Sequence, residues 1–452
     1  MTNLYVHPAA RDICSRLRHV GHSAYVVGGC VRDALMMRTP HDWDIATSAR
    51  PEVVQALFDR TIPTGIKYGT ITVLMHDEPF EVTTYRTDGT YTDSRRPDEV
   101  RYSDSIAEDL ARRDFTMNAI AYDPIDGQLV DPHNGRGHIL FREIHCVGRP
   151  VDRLMEDPLR IMRALRFSAT LGFSVGASTL EAIRLLGSHL TSISGERTRI
   201  ELLKLLGAKR PSIVLGEMAR MGVLFQIIPE LLLSMDHPQN VHHRYDVLRH
   251  TFVTVDAIEG SPMRRMGALL HDVGKPASAA RKPGSDWENT FYDHDKIGAD
   301  MARDVCNRLK FSNEDKDRVV GMVEHHMFGY DATTTDKALR RFIRKAGVNL
   351  VPDLVALRVA DYIGKGFDID PEERLPRIRE RIWGVMGEIA SGKAAVHTKQ
   401  LAITGRDVMA ELGIEPGPKV GVMLAALLDA VTDDPALNER GVLLKMLPSI
   451  QC

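Results

Sequence analysis

The stretch VVGGCVRDALMMRTPHDWDIAT, from Val26 to Thr47, combines a glycine pair, an Arg-Asp pair and two aspartates one residue apart, Asp42 and Asp44. Side chains at i and i+2 of a β-strand share a face, so a strand over HDWDIAT sets both carboxylates over one patch of sheet. Two like charges that close are costly unless a cation sits between them. Mg²⁺ suits that place, because it takes carboxylate oxygens together with substrate phosphates. Upstream, Gly28 and Gly29 let the backbone approach a ligand closely, and a helix start at Val31-Arg32-Asp33 turns amide groups toward phosphate oxygens. Each feature alone is commonplace, a tight turn before a helix or a solvated strand end. The phosphate cradle followed by the metal carboxylates points to nucleotidyl transfer.

The joint pattern GGxVRD…DxDIAT resembles the active-site motif of the polymerase-β superfamily, and within it the class II tRNA nucleotidyltransferase and poly(A) polymerase family. The resemblance implies two Mg²⁺ ions held by Asp42 and Asp44 about 4 Å apart. One would activate an RNA 3′-hydroxyl for attack on the α-phosphorus, and the other would neutralise the leaving pyrophosphate. Gly28, Gly29 and Arg32 would hold the triphosphate. It also implies a third acidic group on a neighbouring strand, for which Glu81 in FEVTTYR is the candidate; an exposed strand glutamate is the plain alternative.

Two further segments fit the same family. Arg112 to Ala119 reads RRDFTMNA. Adjacent arginines offer forked donors to phosphate oxygens, and Asp114 and Asn118 can bond ribose hydroxyls. In the family this motif meets sugar and triphosphate, which assigns Arg113, Asp114 and Asn118 to the nucleotide; a charged helix start capped by Asp114 is the structural alternative. Glu156-Asp157-Pro158-Leu159-Arg160 matches the family's EDxxR signature, a template made of protein. A carboxylate accepts from the exocyclic amine of cytosine or adenine, and an arginine donates to a ring nitrogen or carbonyl. Uracil and guanine present a carbonyl at that edge and would leave polar groups unpaired, at about 1–3 kcal/mol each. Asp157 before Pro158 also reads as an ordinary helix cap. Arg160, Arg163 and Arg166 form a basic stripe at three-residue spacing. Glu196 to Glu201, ERTRIE, resembles a family motif that props the template helix from behind.

The middle of the chain carries a second set. His250, the pair His271-Asp272 in LLHDVGKP, and Asp361 in RVADYIGKG resemble the ligand set of the HD phosphohydrolase superfamily. His294 and His325, or its neighbour His326, are available for a second metal. Histidine and carboxylate suit Mn, Ni, Fe or Mg rather than demanding zinc. Lys275 follows the pair and could meet a phosphate. An inherited HD fold that has lost its metal and serves as a helical body is the alternative. Further on, Lys337, Arg340, Arg341, Arg344 and Lys345 form the densest basic cluster. They are candidates for RNA phosphates, with a solvated helix face as the competing reading.

These residues need elements to position them. YVVGG, GTITVLM and FEVTTYR read as strands, and Arg50-Pro51 to Phe58 as a helix with proline in its first turn. RTDGTYTDSRRPDEV reads as a mobile loop, and RKPGSDWENT as a loop between helices. Beyond Val151 amphipathic helical patterns such as PLRIMRALRFSATLGF and RIELLKLLGA replace strands, and the last part reads as two helices joined by a Gly-Pro turn. The expected class is α+β. A mixed α/β nucleotidyltransferase head with a small β-sheet (1–150) precedes an all-α neck with the template (151–235), an HD-type body (236–365) and a helical tail (366–452).

The chain has 452 residues and a formal net charge of −3, so no global charge advertises nucleic acid. Five cysteines, odd in number and without CxxC spacing, argue against a disulfide framework or zinc ribbon and for a reducing cytoplasm. No window approaches a membrane span, and no secretory signal is apparent. The sequence leaves the oligomeric state open. The resemblance covers nearly the whole chain and implies CCA addition to the tRNA 3′ end from CTP and ATP. The alternatives are an A-adding enzyme or poly(A) polymerase, and an HD phosphohydrolase whose head only binds nucleotide.

Overall fold

A computed structural model of the chain describes residues 4–88, 100–284, 288–367 and 370–450. The chain forms two compact units, the first ending at Pro229 and the second beginning at Glu230.

The first unit is built on strands β1 (Ala24–Val27), β2 (Asp44–Thr47), β3 (Thr61–Gly65), β4 (Thr70–Met75) and β5 (Glu78–Thr84). A ribbon of β6 (Arg86–Asp88) and β7 (Val100–Tyr102) and the short β8 (Ala121–Tyr122) and β9 (Leu129–Val130) complete the head. The main sheet runs β3-β4-β5-β2-β1-β8-β9. Its central β2–β5 pair is parallel, and every other pair is antiparallel. Valine, isoleucine and threonine fill these strands, as their fit to a pleated, half-buried surface favours. The helix Pro8–His19 lays Ile13, Cys14 and Leu17 on one face of the sheet, against Val26, Ile45, Ile71 and Val82. On the other side Val27, Ala46 and Ala121 meet Tyr85, Leu110, Ala119 and Val147.

The three strand segments and the helix Pro51–Leu57 fall where the sequence put them. Two details differ. Strand β2 starts at Asp44, so Asp42 lies just outside it, exposed, while Trp43 between them is buried in the core. The first helix after β1 starts at Gly29, two residues earlier than expected, because Gly28 takes φ +79° and turns the chain at once. Much of the expected mobile loop, residues 89–99, lies outside the described residues.

Helices then dominate. The template segment is an α-helix over Leu159–Phe167 that widens into a π-turn at Ser168–Gly172, and ERTRIE opens the helix Gly195–Leu206. In the second unit Val247–Ala257, Pro262–Leu270 and Asn313–His325 each start from a side-chain cap, Asp246, Ser261 and Ser312. A cap of this kind contributes about 1 kcal/mol. RKPGSDWENT is not simply a loop. Ala279–Arg281 and Asn289–Phe291 pair as an antiparallel hairpin, which gives backbone groups partners that a plain loop would leave to water. The tail helices Gly405–Leu412 and Pro418–Asp433 are separated at Gly413, whose φ of +62° ends the first.

Candidate active site and metal centre

The sheet register explains how the head carboxylates meet. Val27 of β1 pairs with Asp44 of β2, Asp44 with Glu81 of β5, and Glu81 with Thr72 of β4. Directly paired residues present side chains on one face, so this row places Asp44 beside Glu81 and ends, at β1, next to Gly28. Burial pushes Asp44 up to about 6; Arg113 pulls against it, while the charges of Glu81 and Asp42 add to the rise. A carboxylate crowded by two others is one that a cation stabilises.

Around this row opens a cleft of about 880 Å³, entirely within the first unit. Its walls include Asp42, Asp44, Glu81, Gly28, Gly29 and Arg32, and also Arg113, Asp114, Asn118, Asp157, Arg160 and Arg163. The structure therefore gathers into one cavity every transferase residue singled out from sequence, although they span well over a hundred positions.

Each is held by a named partner. Arg32 donates to Asn118 Oδ1 (2.8 Å) and to Asp33. Arg112 and Arg113 both grip Asp109, whose carboxylate is almost fully buried. Burial alone would raise Asp109, yet the two guanidinium groups bring it below the usual carboxylate range. Arg163 donates to Asp114 Oδ2 through Nε (2.8 Å) and Nη2 (2.5 Å). Burial opposes ionisation of Asp114, but Arg163 overrides it and holds the carboxyl at about 2. Asp114 Oδ1 also accepts from the Phe115 amide (2.8 Å), so the local-cap reading and the site reading both describe it.

Asp157 is 9% exposed and is likewise doubly used. Its Oδ1 accepts from the Leu159 amide (3.1 Å), a turn one step before the helix, and its Oδ2 accepts from Arg197 Nη2 (2.7 Å). Arg160 donates to Glu156 Oε2 (2.5 Å) and to the Arg153 carbonyl (2.8 Å). Arg166 donates to Glu201 Oε2 (2.5 Å). The arginine stripe thus parts three ways, and ERTRIE reaches the template helix through Arg197 and Glu201. Sequence reasoning missed Asp109, which anchors the arginine pair, and the cleft residues Thr64, Tyr68, Thr70, Arg86 and Phe167. Asp109 sits four residues before Arg113, a helical ion-pair spacing that could have found it.

In the second unit His250, His271, Asp272 and Asp361 come together, all buried. His250 Nε2 lies 3.2 Å from His271 Nε2, from Asp272 Oδ2 and from Asp361 Oδ1. On the far side of Asp272 stand His294 (3.5 Å from Oδ1) and His326 (3.7 Å). Among the described residues, two trios could each hold an ion, His250-His271-Asp272 and Asp272-His294-His326, with Asp272 common to both. The expected second-metal ligand His325 does not face this cluster. It lies beside a separate small pocket, because consecutive helical residues diverge by a hundred degrees. His326 takes the place.

The donor chemistry fits a metal. Nδ1 of His271, His294 and His326 each meets a backbone carbonyl, of Ala268 (2.8 Å), Phe291 (2.6 Å) and Val323 (2.7 Å). Those bonds fix Nδ1 as the N–H and leave the Nε2 lone pairs facing inward, His294 and His326 only 3.2 Å apart. Opposed lone pairs are reconciled by a cation between them. Burial would raise Asp272, but His271 and Lys275 hold it well below the usual range. Lys275 Nζ lies 2.6 Å from Asp272 Oδ2. The head carboxylates are spread more widely than these trios, which suits a metal that takes its other ligands from phosphate and water.

The basic cluster proves not to be a free phosphate surface. In the helix Asp336–Ala346, Arg340 donates to the carbonyls of Thr432 (2.7 Å) and Asp433 (3.0 Å). Arg341 and Lys337 pair with the Asp433 carboxylate, and Arg344 pairs with Asp429. The last turn of Pro418–Asp433 exposes carbonyls and acidic groups that attract these cations. No described helix is long and apolar enough to cross a membrane.

The chain matches three family profiles: "Poly A polymerase head domain" over residues 24–145, "Probable RNA and SrmB- binding site of polymerase A" over 172–234, and "HD domain" over 264–365. Fold and cleft thus define a nucleotidyltransferase with a poly(A) polymerase-type head and an HD module. It is 33% identical to a CCA-adding enzyme of Levilactobacillus brevis over 439 residues, 96% of each chain. It is 32% identical to one of Bacillus cereus over 433 residues, 95% of each. The crystal structure of the Bacillus stearothermophilus CCA-adding enzyme in complex with CTP superposes with a TM-score of 0.74, at 29% identity and 98% coverage of both chains. The chain belongs to the CCA-adding enzyme family.

Proposed function

We propose that this protein builds or repairs the 3′-terminal CCA of tRNA from CTP and ATP, without a nucleic-acid template and with release of pyrophosphate. The observation that carries the reading is the single cleft in which the Asp42-Asp44-Glu81 carboxylates, the Gly28–Gly29 turn and the Asp157–Arg160 pair lie together. The family name and the CTP complex of its Bacillus stearothermophilus relative support it. Asp42 and Asp44, with Glu81 beside them, would hold Mg²⁺, which activates the attacking hydroxyl and neutralises the departing phosphates when bound. Gly28, Gly29, Arg32 and Arg113 orient the triphosphate, and Asp114 and Asn118 meet the ribose. Asp157, Arg160 and Arg163 select the base. The four segments from head to tail remain our division of labour, with addition in the head and neck.

Purified protein given tRNA lacking CCA and labelled CTP should incorporate C, and Asp44→Asn should lower that rate at least about a thousandfold, roughly 4 kcal/mol of barrier. No C incorporation by the unaltered chain ends the reading. The two histidine trios around Asp272 support a second activity, metal-dependent phosphohydrolysis in the HD module, with Lys275 as the phosphate-facing cation. Asp272→Asn should remove that activity and leave C addition intact; hydrolysis that survives the substitution would exclude it.

A further inference from the structure

The cleft has two ends, and only one of them is claimed by the triphosphate. The row that carries Asp44 and Glu81 runs on through Thr72 of β4, and the Thr72 hydroxyl bonds that of Thr64 in β3. Gly28 therefore closes the row on the β1 side, and the β3–β4 turn closes it on the other. In an in-line displacement the attacking oxygen and the departing oxygen lie on opposite sides of the phosphorus. With pyrophosphate leaving toward Gly28 and Gly29, the attacking 3′-hydroxyl must enter from the β3–β4 side.

That side is built from Thr64, Gly65, Tyr68, Thr70 and Arg86. Tyr68 is half-buried and is the aromatic residue of this wall. The other aromatic ring lining the cleft, Phe167, is 5% exposed and is crowded by the guanidinium groups of Arg32, Arg163 and Arg166, at 5.1, 5.7 and 3.8 Å from its centroid. It has no free face for a base. The turn that carries Tyr68 is fixed. Arg86 donates to the Tyr68 carbonyl. Gly69 takes φ +78° and lets the chain approach Tyr102, whose Cε1 would sit 2.9 Å from a Cβ placed there. The Thr64–Thr72 and Thr70–Thr83 hydroxyl bonds tie the turn to the sheet.

From this placement we infer that Tyr68 is the platform for the RNA terminus: the last base of the acceptor strand stacks on its ring, which sets the 3′-hydroxyl over the Asp44–Glu81 row. This rests on the addition reading above and goes beyond it by assigning the acceptor subsite. A stacked ring tolerates any base, because every base has a π-face. Such tolerance is what an enzyme needs if its acceptor ends in a different nucleotide at each successive addition.

The test is steady-state C addition to tRNA lacking CCA with Tyr68→Ala, Tyr68→Phe and Tyr68→Trp. Tyr68→Ala should raise KM for RNA about tenfold to a hundredfold, the range that stacking supports, with KM for CTP within about twofold. Tyr68→Phe and Tyr68→Trp should stay near the parent. An unchanged KM for RNA in Tyr68→Ala, or a rise confined to CTP, overturns the assignment while leaving CCA addition standing. Failure of the unaltered chain to add C overturns the underlying reading instead. Binding gives a second measure that needs no turnover. RNA ending in 2-aminopurine should lose fluorescence on binding the unaltered chain and Tyr68→Phe, and unchanged fluorescence with the unaltered chain overturns the stacking.

Discussion

Replacing Asp157 with asparagine should change which nucleotide the cleft accepts, not merely how fast it works. The two oxygens of Asp157 are not equivalent. Oδ1 accepts from the Leu159 amide and Oδ2 from Arg197. An asparagine there keeps its oxygen on the Leu159 N–H, since only an oxygen can accept it, and so turns its NH₂ to where Oδ2 stood. The group presented to the base becomes a donor. Cytosine, which offers an amine at that edge, then meets donor with donor and loses about 1–3 kcal/mol; uracil, which offers a carbonyl, gains about 0.5–1.5 kcal/mol. The preference for CTP over UTP should fall by roughly 2–4 kcal/mol, about 30- to 1,000-fold. The same NH₂ faces the Arg197 guanidinium, so absolute rates should drop for both nucleotides. The ratio of kcat/KM values for CTP and UTP is therefore the quantity to measure, on tRNA lacking CCA. Equal losses for the two nucleotides would refute the template role of Asp157.

Other substitutions probe separate parts of the molecule. Gly28→Ala places a side chain at φ +79°, ψ −133°, with its Cβ 2.9 Å from Arg113 Nη1; strain of about 1–3 kcal/mol should raise KM for CTP about tenfold or more, and an unchanged KM would show that Gly28 does not shape the phosphate turn. Arg340→Met strips two carbonyls of their donor and should cost about 1–3 kcal/mol per unpaired group in urea unfolding, with KM for tRNA within about twofold; a large rise in KM without loss of stability would restore the RNA-binding role. His326→Ala should lower the Mn²⁺ or Ni²⁺ content of reconstituted protein, while His325→Ala should leave it unchanged. Equal metal contents in the two variants would contradict the inward aim of His326.

What the sequence determined by itself is the chemistry and its order along the chain. Gly28-Gly29, Asp42-Asp44, RRDFTMNA and EDPLR are short runs in which backbone freedom, charge and donor geometry are properties of neighbouring residues. They could be read before any fold was known. The same holds for β1, β4 and β5, whose valines and threonines prefer a pleated surface whatever lies around them. Tertiary structure decided everything that depends on which distant residues meet. Glu81 stands beside Asp44 because of parallel β2–β5 pairing in one register, and a slip of one residue would have turned it to the other face. His326 displaced His325 because helix rotation, invisible in a count of histidines, selects which of two neighbours points inward. The cluster from Lys337 to Arg344 looks the same in sequence whether it faces RNA or an acidic helix end. Only packing brought Asp429 and Asp433 to it, because an ion pair is a property of two surfaces and a sequence shows one at a time.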